Sequence, residues 1–159
     1  MQPFSRLVVP GTLAIALAVI AQPAHAADQV IGTWELNLAK SKYSPGPAPK
    51  SQTRTYEAAG DAVKYTAKGV DSEGKPTLVE YTASYDGKDY PITGSPDADT
   101  ISLKRIDDFT SEATQKRAGK VVLSVRRVVS KDGKVLTATA KGTNAKGQAI
   151  DNVVVFDRK

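Results

Sequence analysis

Two arginines stand at strand spacing behind apolar residues. Arg105 follows Ile101 and Leu103 at intervals of two in "TISLKRIDD", and Arg127 follows Val121, Leu123 and Val125 in the same way in "KVVLSVRRVVS". Alternate residues of a strand share a face. Each guanidinium therefore falls on the apolar side of its strand, where its planar fork of donors would take a carboxylate or another anionic head. Tyr65, Tyr81 and Tyr85 share faces with Val63 and Val79 on two further strands and supply hydroxyls to the same kind of ligand. Tyr65, Tyr81, Tyr85, Arg105 and Arg127 are the candidate ligand-binding set. The bland reading of the same residues is that the apolar ones only form core and that an arginine beyond the end of its sheet is merely solvated.

The other chemistry-bearing residues lead to exclusions. The chain has no cysteine, and its one histidine, His25, and one methionine, Met1, fall in the first 26 residues. Those residues read as a secretory leader: Arg6, an apolar run centred on "LAIALAVIA", and Ala24-His25-Ala26 in the small-x-small pattern that precedes cleavage. Cleavage after Ala26 and a periplasmic or secreted location are expected. Once the leader is gone, Ser-His-Asp and Cys-His nucleophile systems, His- or Cys-based zinc sites and the usual haem and copper ligands are all excluded. Carboxylate, lysine, tyrosine and arginine remain.

None of these assembles into a catalytic or metal constellation. Asp107 and Asp108 are adjacent, so on a strand they point to opposite faces and cannot act as a carboxylate pair; they read as hairpin residues. "PDAD" at 96–99 could offer Asp97 and Asp99 to calcium, but it lacks the glycine and the terminal Glu of an EF-hand loop and reads as a turn. Glu57 and Glu80 are the carboxylates that acid–base chemistry would use. No catalytic residue, metal or cofactor is assigned. The chain beyond Ala26 holds 21 Lys and Arg against 17 Asp and Glu without a basic run, so no nucleic-acid partner is expected, nor stable membrane insertion after cleavage.

The elements that must position the arginines are strands. "VKYTAKGV" and "TLVEYTASY" alternate apolar and polar residues with a period of two. Turn signals follow at short intervals in "SEGKP", "DGK", "GSPDAD", "KDGK" and "NAKGQ". Nine to ten strands in 133 residues, with no segment able to serve as a crossover helix, predict a single all-β domain over 27–159. Edges must be hidden in so many short strands, and consecutive hairpins predict an antiparallel up-and-down barrel of about 8–10 strands without a long helix. The inward set is then Trp34, Leu36 and Leu38 on the first strand; Val63, Tyr65, Val79, Tyr81 and Tyr85 on the next; Ile101, Leu103, Val121, Leu123 and Val125 further on; and Val153 and Val155 on the last.

"GTWELN", with Gly32 and Trp34 on the first strand, and the closing "NVVVFDRK" resemble the opening G-x-W and terminal strand of calycin-type barrels, the lipocalins and fatty-acid-binding proteins. The stretch Tyr85–Asp107 also resembles small secreted bacterial lipocalin-like proteins of unknown function. The resemblance implies that Trp34 closes one end of the barrel under a stacked Arg158, with Gly32 letting the backbone pass closely. It also implies a lumen that binds a small apolar or amphipathic molecule without catalysis. Two alternatives stand beside it: a filled barrel that recognises a protein partner, and an isomerase- or cyclase-like calycin enzyme. The families' helical lids have no counterpart here. "SPGPAP", with Pro45, Pro47 and Pro49, stands in that place and predicts a stiff strap across one mouth.

Overall fold

The computed structural model describes residues 28–159, so the leader assigned to 1–26 lies outside the described residues. Ten strands follow one another: β1 (Gly32–Leu36), β2 (Ser51–Ala59), β3 (Ala62–Val70), β4 (Pro76–Ser84), β5 (Tyr90–Thr93), β6 (Thr100–Arg105), β7 (Thr110–Arg117), β8 (Lys120–Val129), β9 (Val135–Thr143) and β10 (Ala149–Arg158). Each pairs antiparallel with the next, and β1 pairs with β10, so the sheet closes into an all-β up-and-down barrel with no free edge. The only helical element among the described residues is a short 3-10 turn, Leu38–Lys40.

Because the strands alternate in direction, every second connection lies at the same end. The β2–β3, β4–β5, β6–β7 and β8–β9 turns share one end with the entering residues 28–31 and the departing Arg158. The opposite end carries the β3–β4, β5–β6, β7–β8 and β9–β10 turns and the long β1–β2 connector. The first end is closed. Trp34 is fully buried there, its indole Nε1 donates to Val30 O at 2.8 Å, and the Arg158 guanidinium lies 4.1 Å from its ring centroid. Arg158 is fixed over the ring by donating from Nη1 to Ile31 O at 2.9 Å, from Nη2 to Gln29 O at 2.6 Å and from Nε to Gly133 O. Gly32 makes room for it: φ is +138°, and a Cβ would come within 2.4 Å of Arg158 Nη1. Gly32, Trp34 and Arg158 thus meet at this end.

Above this floor the inward face continues as a packed ring. Tyr56, Ile101, Leu103, Leu136 and Phe156 are fully buried with Trp34. Burying such side chains contributes about 1.5–3 kcal/mol each, and with no disulfide in the chain this ring is what holds the barrel.

Three parts of the expected inward set differ from the structure. On β10 the buried residues are Val154 and Phe156, whereas Val153 is 36% exposed. Register explains it: Arg158 stands opposite Trp34 and Phe156 opposite Leu36, so the even positions share the tryptophan's face. Val121 is 60% exposed because the β7–β8 register shifts between Gln115 and Lys116, adding a residue and reversing the phase beyond Leu123. Leu38 is exposed because β1 has already given way to the 3-10 turn, which Asn37 caps by accepting from Lys40 N at 3.1 Å.

Candidate functional site

The barrel is not filled above its packed ring. A cavity of about 460 Å³ opens toward the connector end. Four inward alanines make the space: Ala67, Ala113, Ala138 and Ala140 stand on β3, β7 and β9 where larger residues would meet across the lumen. Val79, Ile92, Leu123 and Val125 complete the apolar wall. A cavity of this size falls within the roughly 300–1,000 Å³ usual for small-molecule sites.

The polar wall is concentrated on β2–β3–β4. Tyr56, Tyr65 and Tyr81 are direct cross-strand partners in one row. Their rings stand side by side, 4.9 Å between the centroids of Tyr56 and Tyr65 and 4.6 Å between Tyr65 and Tyr81, the second pair nearly parallel. Burial pushes the Tyr65 and Tyr81 phenols well above the usual tyrosine value, with Arg54 and Arg127 respectively pulling the other way. Both phenols are therefore neutral donors at ordinary pH.

Arg127 reaches across from β8. It is 4% exposed, donates from Nη1 to Tyr81 Oη at 2.9 Å, and stands 5.6 Å from the Tyr56 ring centroid. Its Nε and Nη2 have no hydrogen-bond partner, and no ion pair answers its charge among the described residues. Burial works to lower its pKa and the phenols of Tyr81 and Tyr56 work to raise it, with a net shift upward, so the guanidinium is charged. The gap on its far side, lined by Asp28, Arg105, Thr110 and Ser111, has no room for a water molecule. A partner for the free N–H groups can come only from the lumen.

A second lumen cation is Arg54 on β2, which donates from Nε to Gln52 Oε1 at 2.8 Å and lies over the Phe156 ring at 4.1 Å. Neither Arg54 nor Tyr56 is in the sequence-derived set, although they occupy alternate positions of "TRTYE", the same signal that singles out Arg127. Tyr43, on the connector, also lines the cavity.

Of the five expected ligand-binding residues, Tyr65, Tyr81 and Arg127 line the lumen together. Tyr85 and Arg105 do not. They lie at the closed end, where Tyr85 Oη donates to Asp28 Oδ2 at 2.6 Å and Arg105 Nη2 pairs with the same oxygen at 2.9 Å. Both follow the last inward positions of their strands, and the floor separates them from the cavity. Glu57 and Glu80 lie on the outer surface, Glu57 within 3.9 Å of Lys64 Nζ. Asp107 accepts from Phe109 N at 2.9 Å in the β6–β7 turn, as a hairpin residue does.

The mouth is narrowed from two sides. On one, the connector is stitched to β10: Lys42 N donates to Val153 O at 2.7 Å, Ser44 N to Asn152 Oδ1 at 2.8 Å, and Asp151 N to Ser44 O at 2.9 Å. Pro47 and Pro49 then line the entrance, the strap across one mouth that the prolines predict. On the other, the β5–β6 loop places Ser95, Pro96 and Asp97 at the rim. Arg117 holds that loop through Pro96 O and Asp97 O, while Asp97 and Asp99 accept from Ala145 N and Ala118 N at 2.8 and 2.9 Å. The "PDAD" carboxylates thus staple loops.

No family model and no curated protein sequence matches the chain. Solved structures similar in shape include two barrels. One is a redesigned β-barrel, mFAP1, bound to DFHBI, at 14% identity over 84% of this chain and 98% of that chain, with a TM-score of 0.44. The other is the zebrafish ileal bile acid-binding protein complexed with cholic acid, at 12% identity over 82% of this chain and 98% of that one, with a TM-score of 0.49. Similarity this low leaves the chain's own geometry to carry the functional reading.

Proposed function

We propose that this protein is an exported, non-catalytic barrel that binds a small amphipathic anion in its lumen. The apolar body lies against the alanine-lined wall, and the acid head meets Arg127 and Tyr81. The observation that carries this is the buried Arg127 with two guanidinium nitrogens, Nε and Nη2, free of any partner among the described residues and an apolar cavity in front of them. A buried charge without a counter-ion is costly, and an incoming carboxylate offsets that cost while the tyrosine hydroxyls satisfy its remaining lone pairs. The outward placement of Glu57 and Glu80 supports a binding role over an isomerase-like one. Among the described residues Asp97, at the rim, is the only carboxylate bordering the cavity.

Calorimetric titration with decanoate, decanol and decylammonium tests the reading. Saturable binding of decanoate, weaker binding of decanol and none of decylammonium in the lumen is the expected order. Equal affinity for decanoate and decanol, or no saturable binding of either, contradicts it. Trp34 is sealed beneath Arg158, so heat rather than tryptophan emission is the appropriate signal.

A further inference from the structure

A second cavity, of about 700 Å³, lies beyond the floor at the closed end, between the β2–β3 hairpin, the end of β4 and residues 28–31. Its base is apolar. Val63 is buried there, and Ile31, Ala58 and Ala62 flank it. The cavity is separated from the lumen by Trp34 and its neighbours, and its charges are of the opposite sense.

Among the described residues Arg105 is the only cation in its lining, and its charge is already answered: the guanidinium pairs with Asp28 at 2.9 Å and stands 4.9 Å from the Tyr85 ring centroid. Tyr85 spends its proton on the same Asp28. Two carboxylates are left over, Asp61 at the hairpin tip and Asp86 after β4. Asp61 has no ion pair among the described residues. Asp86 accepts from Lys88 N at 3.0 Å and Tyr90 Oη at 2.7 Å, which leaves lone pairs on both oxygens. An apolar recess rimmed by two carboxylates that have no ion pair among the described residues, with Lys88 near Asp86, complements an alkyl or aryl group carrying an ammonium.

We propose that this closed-end recess is a second binding site, for an amphipathic amine, with the apolar part on Val63, Ala58 and Ala62 and the ammonium between Asp61 and Asp86. Charge sign divides ligands between the two ends of the barrel: anions enter the lumen at Arg127, and amines dock at the hairpin end.

The test is an NMR titration of the ¹⁵N-labelled full chain, expressed with its leader so that any processing proceeds, using octylammonium, octanol and octanoate. Octylammonium should move the amides of Gly60, Asp61, Ala62 and Asp86 saturably, octanol should bind there more weakly, and octanoate should leave them in place. The double substitution Asp61→Asn and Asp86→Asn should weaken octylammonium by about two- to thirtyfold, the range for two exposed ion pairs. Ala58→Trp, which fills the recess without touching a carboxylate, should abolish its binding. The proposal is overturned if octylammonium gives no saturable shifts, if its shifts appear at lumen residues such as Ala67 and Ala138, if octanol binds equally well, or if both sets of variants bind like the parent chain.

Discussion

Arg127 Nη1 donates to the hydroxyl of Tyr81 at 2.9 Å across the barrel, joining β8 to β4, and no carboxylate completes the pair. The bond orients the guanidinium so that one edge is held and the rest faces the cavity. A tyrosine whose own pKa is raised by burial is a suitable anchor, because it positions the arginine without neutralising it. Stability and affinity are therefore opposed at this residue.

The first prediction tests that opposition. Arg127→Met, which keeps the volume and removes the charge, should raise the stability of the ligand-free barrel by about 1–3 kcal/mol, since apolar replacements of buried charges are often stabilising. The same variant should weaken decanoate binding by roughly 10- to 100-fold, the worth of a charge-assisted hydrogen bond, and leave decanol unchanged. Urea unfolding and calorimetry together check it.

Filling the lumen should separate binding from folding. Ala138→Phe and Ala113→Phe each point a ring into existing space, so the unfolding free energy from urea curves should change by less than about 1–3 kcal/mol, the usual range for overpacking. Ligand affinity should fall at least about tenfold. A filled variant that binds normally would place the ligand elsewhere.

The floor makes the converse prediction. Gly32→Ala forces a Cβ into Arg158 Nη1 at a backbone angle that favours glycine, and should cost about 2–3 kcal/mol. Arg158→Ala removes the stack on Trp34 and three carbonyl contacts, and should cost about 1–2 kcal/mol. Neither should alter ligand affinity by more than about twofold while the barrel is folded, because the floor lies outside the lumen. Unfolding curves and calorimetry on the same samples give both numbers.

Alkaline pH should unfold the barrel through its tyrosines. Burial raises the Tyr65, Tyr81 and Tyr85 pKa values above the ordinary value near 10. The unfolded chain thus releases these protons at lower pH than the folded one. Their contribution is complete below about pH 10 and declines as pH rises toward the folded values. Phenolate absorbance from Tyr65, Tyr81 and Tyr85 should therefore appear only together with loss of the far-ultraviolet β signal. Titration of all the tyrosines while that signal is intact would contradict the burial of the row.

What the sequence discloses about this protein depends on whether alternation is present to set a phase. In β3 and β4 apolar and polar residues alternate cleanly, and Tyr65 and Tyr81 are where their pattern puts them. In "NVVVF" three consecutive valines carry no phase, so Val153 and Val154 can be told apart only through pairing with Trp34's strand. The bulge near Val122 is likewise invisible without its partner strand. Tyr85 and Arg105 have the right parity but sit past the floor, and depth along a strand is not encoded in alternation. Arg54 carries the same parity as Arg127, but at spacing two it is preceded by Gln52 rather than a valine, so it lacks the apolar run that draws attention to β8. The resemblance points to Gly32, Trp34 and Arg158 as a group, whereas the room the glycine makes is visible only with Arg158 Nη1 beside it.

The most direct test of the central claim is a crystal structure of the protein grown with decanoate. The predicted result places the carboxylate about 2.7–2.9 Å from Arg127 Nε or Nη2, with the alkyl chain running past Ala138 and Ala113 toward Pro47 and Pro49. A carboxylate bound at the mouth or outside the barrel, with Arg127 still holding only Tyr81, would contradict it.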